Sequence, residues 1–271
     1  MKPAPGRLAS LGHFRSKHVE PRTVQVWVPP GSPPDDGFGV LYMHDGQNLF
    51  SPKTSFLGVD WDIPGAITRL TRFGSIPAPL VVGVWNTPLR LSEYMPGKAT
   101  PFVPKVLERG DALRGVELPV LSDRYLRFLV EELKPYIDRH YPTRDDPRFT
   151  AIMGSSMGGL ISLYAVCEYP HIFGGAGCIS THWPAGGGAT LEYVRGALPR
   201  PGGNRFYFDY GTETIDAPYE SYQRQVDAMM REAGYTYDKD WLTCKCPGQD
   251  HSEMAWRLRV TYPLEFLTRG W

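Results

Sequence analysis

The chain has 271 residues, long enough for one α/β domain with a sizeable core or for two small domains. Its 29 Lys and Arg residues balance 29 Asp and Glu residues, so net charge gives no reason to expect nucleic acid or an anionic membrane as a partner. No stretch approaches the roughly 20 apolar residues of a membrane span. The N-terminal MKPAPGRLASLGHF lacks the apolar run of a secretion signal, and we expect a cytoplasmic protein.

Short β-rich runs alternate with helical patterns along the chain. Strands are predicted at 23–29, 39–44, 80–85, 149–153, 175–180, 205–210 and 241–246. Helices are predicted at 62–72, 122–140, 157–168, 219–233 and 252–268. This alternation predicts an α/β fold with a mostly parallel central sheet and helices on both faces, a three-layer sandwich.

The connections between these elements give no sign of a domain boundary. Loops rich in Pro and Gly are predicted at 29–37, 95–120 and 183–204. We expect a single domain over 1–271, in which about 1–20 form an N-terminal extension or an edge strand. Pro135 is expected to kink the helix that contains it. The long loop at 95–120 is interpreted as either a wall of the substrate pocket or a surface excursion.

The cysteines and the short motifs predict neither a metal site nor a cofactor. Cys244 and Cys246 fall on one face of a predicted strand, but no second ligand pair at zinc-like spacing accompanies them. We therefore expect them to pack in the core. The chain has no H-E-x-x-H, no P-loop and no G-x-G-x-x-G after a strand.

The stretch GSSMG at 154–158 fits the pattern G-x-S-x-G, with a predicted strand before it and a helix after it. A nucleophile on a sharp strand-to-helix turn needs an unusual backbone, and we expect the flanking glycines to remove collisions there. The spacing selects Ser156, because centring the pattern on Ser155 would put Met153 and Met157 at the glycine positions. The backbone N–H of Met157 is then free to face an oxyanion at the start of the helix.

A serine nucleophile needs a base, and the base needs an orienting carboxylate. In α/β-hydrolases these follow in the order Ser, acid, His. His251 lies between the last predicted strand and the last helix and is favoured over His171 and His182. The acid should follow the penultimate strand, where Asp216 is favoured because the shorter side chain is the commoner orienter, and Glu213 is the alternative.

A second oxyanion donor is expected in the loop after an early strand. The stretch LYMHDGQNLF, at 41–50, places a run of polar residues directly after an apolar strand. Gly46 permits a tight turn there, and the backbone N–H of Gln47 is the predicted donor. Ligands bind at this carboxyl edge of the strands in open α/β sheets.

Together these stretches resemble the putative-esterase family of α/β-hydrolases, which includes enterobactin and feruloyl esterases. The resemblance is carried by residues 41–50, 58–63, 81–96, 154–180 and 248–256. It implies an α/β-hydrolase fold with the nucleophile, base and oxyanion donors named above. It also implies that Trp61 packs below the site. A loop bordering the cleft would contain Asn86, Arg90, Glu93 and Tyr94.

The predicted function is hydrolysis of a small-molecule ester by a serine carboxylesterase through an acyl-enzyme. Arg90 and Tyr94 are candidate substrate contacts from the resemblance. Trp183 is a third, because Trp183, Trp85 and Trp256 fall near the predicted mouth of the site. The alternatives are an acyltransferase or a thioesterase on the same scaffold, such as one acting on S-formylglutathione, and a non-catalytic binding protein of this fold.

Overall fold

An eight-stranded sheet organises this computed structural model, which describes residues 6–103 and 119–271. The strands are β1 (Arg7–Phe14), β2 (Arg22–Val28), β3 (Val40–His44), β4 (Leu80–Val84), β5 (Thr150–Ser155), β6 (Gly175–Ile179), β7 (Arg205–Gly211) and β8 (Trp241–Cys246). Their order in the sheet is β1-β2-β4-β3-β5-β6-β7-β8. The pairs β1–β2 and β2–β4 are antiparallel, and the other neighbours are parallel. The predicted strands are therefore all present, and β1 lies at the edge of the sheet.

Helices cover both faces of the sheet. They are α1 (Ile63–Arg72), α2 (Arg90–Tyr94), α3 (Ser122–Arg127), α4 (Lys134–His140), α5 (Met157–Glu168), α6 (Ala189–Ala197), α7 (Tyr219–Glu232), α8 (Glu253–Arg259) and α9 (Thr261–Thr268). Side chains that alternate along the strands enter two separate cores. Tyr42 packs with α3 to α7 on one face, whereas Leu41 and Met43 pack with α1, α8 and α9 on the other. The predicted α/β sandwich of three layers is confirmed.

The central strands are buried on both faces, which explains why they read as continuous apolar runs in the sequence. Every residue of β3, β4, β5 and β6 is buried. The parallel register of β3 with β5 pairs Met43 with Met153. The carboxyl ends of these two strands therefore meet at one edge of the sheet, where the two predicted oxyanion loops begin.

The helix predicted at 122–140 is confirmed, since α3, a π-helical stretch (Phe128–Leu133) and α4 follow one another without a break. Pro135 has no N–H to donate one turn back, and the widened turn lies just before it. The helical prediction is wrong in two other places: the predicted loop at 183–204 contains α6, and the segment predicted as one helix at 252–268 divides into α8 and α9.

The other predictions for this region concern a loop, the cysteines and the membrane. The expectation for the loop at 95–120 falls largely on 104–118, outside the described residues. Cys244 packs against the core on the α1 side of the sheet, and Cys246 is buried. None of the helices in the described ranges is long and apolar enough to cross a membrane.

Candidate active site

Ser156 sits on a strained turn between β5 and α5. Its backbone has φ 59° and ψ −122°, a region that residues other than glycine rarely adopt. Neighbouring backbone holds this conformation, because the Ser156 N–H donates to the Ile179 carbonyl at 2.9 Å and the Ser156 carbonyl accepts from the His182 N–H at 3.2 Å. Ser155, by contrast, is an ordinary buried residue at the end of β5. The structure thus places the strain at the serine selected by the glycine spacing.

The glycines around this turn differ in what they permit. A Cβ on Gly154 would lie 3.0 Å from the backbone of Gly158, so a side chain there would force the strand and the helix slightly apart. A Cβ on Gly158 would make only ordinary contacts of 3.6 Å. The expectation of a collision at both positions is correct for Gly154 and wrong for Gly158. Gly159, which the pattern does not include, has no room, because its Cβ would lie 2.6 Å from Thr181 Oγ1.

The loop after β3 carries the second predicted oxyanion donor. Asp45 adopts φ 55°, and a single 3-10 turn, Gly46–Asn48, follows. A Cβ on Gly46 would lie 2.6 Å from the Gly83 carbonyl carbon, so this turn rests directly on β4. Within the described chain, the backbone N–H groups of Gln47 and Met157 donate to no acceptor. Both are therefore available for a negatively charged oxygen.

Asp45 ties this loop to the segment that follows β4. Its carboxylate accepts from Arg90 Nε and Nη2, each at 2.8 Å, and from Asn86 Nδ2 at 2.7 Å. The Asn86 N–H also donates to Gln47 Oε1 at 3.3 Å. Burial alone would raise the pKa of Asp45, but Arg90 and Asn86 hold it below its usual value. Asp45 is therefore a charged anchor for the loop that carries Gln47.

The structure brings His251 and Asp216 together. His251 Nδ1 and Asp216 Oδ1 are 2.6 Å apart, and the His251 side chain is 11% exposed. The ring is further fixed by Trp256 and Tyr219, whose rings meet it edge to face at centroid distances of 5.0 Å and 5.9 Å. Ser252 caps α8 by accepting from the Ala255 N–H at 3.3 Å. Ser252 is therefore the N-cap of α8, and the His251 side chain lines the cavity instead.

Asp216 is fully buried and supplied with donors. Its Oδ2 accepts from the Gly211 N–H at 2.7 Å and from the Ser180 hydroxyl at 2.5 Å. Arg259 Nη2 donates to the same Ser180 oxygen at 2.6 Å and places its charge near the carboxylate. Burial would raise the pKa of Asp216, but the hydrogen bonds from His251 and Ser180 lower it below its usual value. Asp216 is therefore ionised beside His251 at neutral pH.

The competing candidates lie elsewhere. Glu213 is exposed and accepts from the Thr212 hydroxyl at 3.2 Å. His171 is also exposed. His182 Nδ1 is 2.6 Å from the Tyr219 hydroxyl, and burial, with a contribution from the nearby His251, lowers the pKa of His182 to about 4. Among the predicted acids and bases, Asp216 and His251 alone form a contact with each other in the described residues.

A cavity of about 300 Å³ opens between these elements at the carboxyl edge of the sheet. Its lining comprises Asp45, Gln47, Asn48, Phe56, Asn86, Arg90, Ser155, Ser156, His251, Glu253 and Trp256. No hydrogen bond joins Ser156 Oγ to the His251 ring in the described part of the chain. Such contacts are often longer in enzymes without substrate than in their complexes.

Two of the three predicted substrate contacts are wrong. Tyr94 has no exposed surface, because α2 turns it inward onto the His44 and Tyr125 rings. Trp183 is 1% exposed and donates from Nε1 to Gln223 Oε1 at 3.2 Å, which places it in the core. Arg90 does line the cavity, although two of its nitrogens donate to Asp45.

Of the other residues that the sequence placed near the site, some line the cavity and others do not. Asn86 and Trp256 line the cavity, and Trp61 packs beneath Trp256 with ring centroids 5.7 Å apart. Glu93 is instead fully buried in an ion pair with Arg22. Trp85 donates from Nε1 to Gln25 Oε1 at 3.0 Å and is absent from the lining.

Sequence reasoning missed two side chains that line the cavity, Phe56 and Glu253. Phe56 lies in an irregular stretch before α1 that carries no motif. Glu253 follows His251 by two residues at the start of α8, and this proximity was a signal for its place in the site.

A sequence model of the family described as "Putative esterase" matches residues 17–262 of the chain. The chain belongs to the putative esterase family. The resemblance drawn from the motifs is confirmed, and family membership makes carboxylic ester hydrolase the enzyme class of the chain.

Comparisons with individual proteins and solved structures give the extent of the similarity. YbbA of Bacillus subtilis (strain 168), described as uncharacterized, is 24% identical over 226 residues, covering 80% of this chain and 81% of YbbA. Ferri-bacillibactin esterase BesA from the same organism is 30% identical over 176 residues, covering 62% of this chain and 57% of BesA.

A crystal structure of the enterobactin esterase FES from Shigella flexneri matches with a TM-score of 0.69 at 19% identity, covering 97% of this chain and 59% of FES. At this identity the match establishes the shared α/β-hydrolase fold, as the motifs predicted. The matched part of our chain corresponds to less than two thirds of the length of BesA and of FES.

Proposed function

We propose that the chain is a serine carboxylesterase that hydrolyses a small-molecule ester with Ser156 as nucleophile, His251 as base and Asp216 as the orienting acid. One observation carries the proposal. The His251–Asp216 contact of 2.6 Å lies beside the same cavity as a serine held at φ 59°. This combination of a strained serine, a histidine and a buried carboxylate is the arrangement that activates a hydroxyl for attack.

In the first half of the reaction, Ser156 Oγ forms a bond to the carbonyl carbon of the ester while His251 Nε2 takes the hydroxyl proton. The carbonyl π electrons move to the oxygen, which becomes an oxyanion. When the oxyanion collapses, the bond to the alcohol oxygen breaks, and His251 gives its proton to the departing alcohol. The acyl group remains on Ser156.

In the second half, water takes the place of the alcohol. His251 accepts a proton from the water as its oxygen attacks the acyl-enzyme, and the tetrahedral intermediate then releases Ser156 Oγ, which recovers the proton. The products are a carboxylic acid and the free enzyme. Asp216 remains a carboxylate throughout and stabilises the imidazolium that forms in each half.

The oxyanion is assigned to the backbone N–H groups of Gln47 and Met157. Donors already oriented toward the developing charge stabilise it without reorganising during the reaction. Support comes from the absence of any other acceptor for these groups in residues 6–103 and 119–271, and from the Asp45 anchor that fixes the loop of Gln47. Met157 is the first residue of α5, where the helix dipole adds to the effect.

Covalent labelling tests the nucleophile. A fluorophosphonate probe should label the wild-type chain at Ser156, and p-nitrophenyl acetate should be hydrolysed. The Ser156→Ala variant should lose both the label and turnover. Ser155→Ala is the matched comparison and should keep the label. A label found on Ser155, or no label at all, would remove the basis of the proposal.

Product analysis separates hydrolysis from acyl transfer and thioester cleavage. The acyl-enzyme should give mainly carboxylic acid when water competes with added alcohols and thiols, and an oxygen ester should be a better substrate than S-formylglutathione. The names of BesA and FES make ferri-bacillibactin and enterobactin reasonable additions to the substrate panel.

A further inference from the structure

The cavity around Ser156 contains a carboxylate that the proposed chemistry does not use. Glu253 lines this cavity at the start of α8, two residues after His251. Among the described residues it makes no ion pair. Its one side-chain hydrogen bond comes from Asn48 Nδ2 and is long, at 3.5 Å. A partly buried carboxylate with one long hydrogen bond and no ion pair would be stabilised by a positively charged ligand.

Arg90 does not supply that partner. It is the one Lys or Arg among the described lining residues, and its Nε and Nη2 both donate to Asp45 at 2.8 Å. The charges of Asp45 and Arg90 therefore cancel, and Glu253 leaves the cavity with an excess negative charge. Burial raises the pKa of Glu253 and the Asp45 charge adds to this effect, while the backbone N–H of Glu253 and the more distant charges of His251 and Arg90 act in the opposite direction.

Two aromatic side chains share the cavity with Glu253. Phe56 lines it and is 62% exposed, and Trp256 also lines it and is buried. The faces of aromatic rings attract cations, and sites for quaternary ammonium groups combine such rings with negative charge. Phe56 has no evident role in the core, since most of its surface faces solvent.

We propose that this cavity binds an ester that carries an ammonium group, with Glu253 as its ion-pair partner and the rings of Phe56 and Trp256 beside it. This inference rests on the proposed esterase function and specifies the class of substrate. A purely structural role for Glu253, as an acidic residue in the first turn of α8, would not affect the choice between charged and neutral esters.

Two esters of nearly the same shape test the proposal. Acetylcholine carries a quaternary nitrogen where 3,3-dimethylbutyl acetate carries a neutral carbon. The quaternary nitrogen has no N–H to donate, so any preference comes from its charge alone, through Glu253 and the aromatic rings. Wild-type protein should favour acetylcholine by about tenfold in kcat/KM, which corresponds to about 1.4 kcal/mol, and Glu253→Gln should bring the ratio close to one.

Phe56→Ala and Glu232→Gln complete the set of variants. Phe56→Ala should lower the preference by about two- to fivefold, the scale of an exposed cation–π contact. Glu232→Gln makes the same chemical change as Glu253→Gln on the exposed end of α7, outside the cavity lining, and should keep the wild-type ratio. If Glu253→Gln does not fold, competitive inhibition of neutral-ester hydrolysis by tetramethylammonium, weaker in Phe56→Ala, supplies the same test.

The outcomes separate the two proposals. If 3,3-dimethylbutyl acetate is hydrolysed as well as acetylcholine and tetramethylammonium does not inhibit, the ammonium site is disproved and the esterase function stands. If neither ester is hydrolysed and the fluorophosphonate probe leaves Ser156 unlabelled, the esterase function fails and the ammonium-ester substrate fails with it.

Discussion

Arg90 donates two hydrogen bonds of 2.8 Å to Asp45, one from Nε to Oδ1 and one from Nη2 to Oδ2. Asp45 adopts φ 55° directly before the turn that carries Gln47. The planar guanidinium fits the carboxylate with both donors at once, so it fixes orientation as well as distance. Arg90 therefore acts as a positioning residue for the proposed oxyanion donor at Gln47.

Replacing Arg90 with Lys should lower kcat more than it raises KM. Lys keeps the positive charge but cannot make two parallel hydrogen bonds to Asp45. A small displacement of the Gln47 N–H would weaken the oxyanion contact, and a loss of about 10- to 100-fold in kcat is expected for a misplaced group of this kind. Steady-state hydrolysis of p-nitrophenyl acetate measures both constants.

Arg69→Lys is the control for that substitution, because Arg69 also pairs with an aspartate but is largely exposed on α1. It should leave kcat unchanged. A wild-type kcat in Arg90→Lys would show that the Asp45 loop keeps its position without the paired hydrogen bonds.

Asp216→Asn should reduce turnover by about 10³-fold or more, the scale expected when a triad carboxylate is lost. The amide would still fill the space, but it could not stabilise an imidazolium on His251. Glu213→Gln should stay near the wild-type rate, because Glu213 is exposed and contacts the Thr212 hydroxyl instead. Hydrolysis of p-nitrophenyl butyrate by the two variants decides between the carboxylates, and the opposite result would assign the acid to Glu213.

The free energy of unfolding should fall as the pH drops from 6.5 toward 4. Burial lowers the pKa of His44 from 6.5 to about 3, and burial with His251 lowers that of His182 to about 4. Below pH 6.5 the unfolded chain takes up protons at these positions that the folded chain does not, so stability is lost. Each such proton contributes a slope of about 1.4 kcal/mol per pH unit.

His44→Gln tests this pH dependence. The variant should be less stable at neutral pH, because Nδ1 of His44 lies 2.9 Å from the buried Tyr125 hydroxyl. Its slope between pH 6.5 and 4 should nevertheless be smaller than that of the wild type by about one proton. Urea denaturation at a series of pH values gives the slopes, with the exposed His171→Gln as a comparison. Equal slopes in wild type and His44→Gln would show that His44 takes up its proton in the folded state.

The residues of the proposed site were selected by local pattern and chain order. Ser156 could be selected because it alone is the central serine of a G-x-S-x-G pattern with a predicted strand before it and a predicted helix after it. His251 and Asp216 could be selected because each follows a strand of a parallel sheet, and the carboxyl ends of such strands share one edge. The same rule placed Gln47 in the loop after β3.

The incorrect predictions concern the direction of side chains in short or irregular elements. Tyr94 lies in a helix of five residues, α2, whose rotation toward the core has no periodic signal in the sequence. Trp183 depends on how the segment before α6 folds, and that helix was predicted as loop. Phe56 reaches the cavity from a stretch where Leu57 has φ 53°, a conformation that no pattern predicts. These positions are decided by tertiary packing.

Ala substitutions at Gly154 and Gly158 should have different effects, although both are glycines of one motif. At Gly154 the new Cβ would lie 3.0 Å from the Gly158 backbone, which cannot move without displacing the Ser156 turn. We expect a loss of about 1–3 kcal/mol in the free energy of unfolding and weaker fluorophosphonate labelling. At Gly158 the contacts are 3.6 Å, and the gain from Ala in a helix is about 0.5–1 kcal/mol, so Gly158→Ala should be within about 1 kcal/mol of wild type. Urea denaturation of both variants checks the difference, and equal losses would show that the motif constrains its two glycines in the same way.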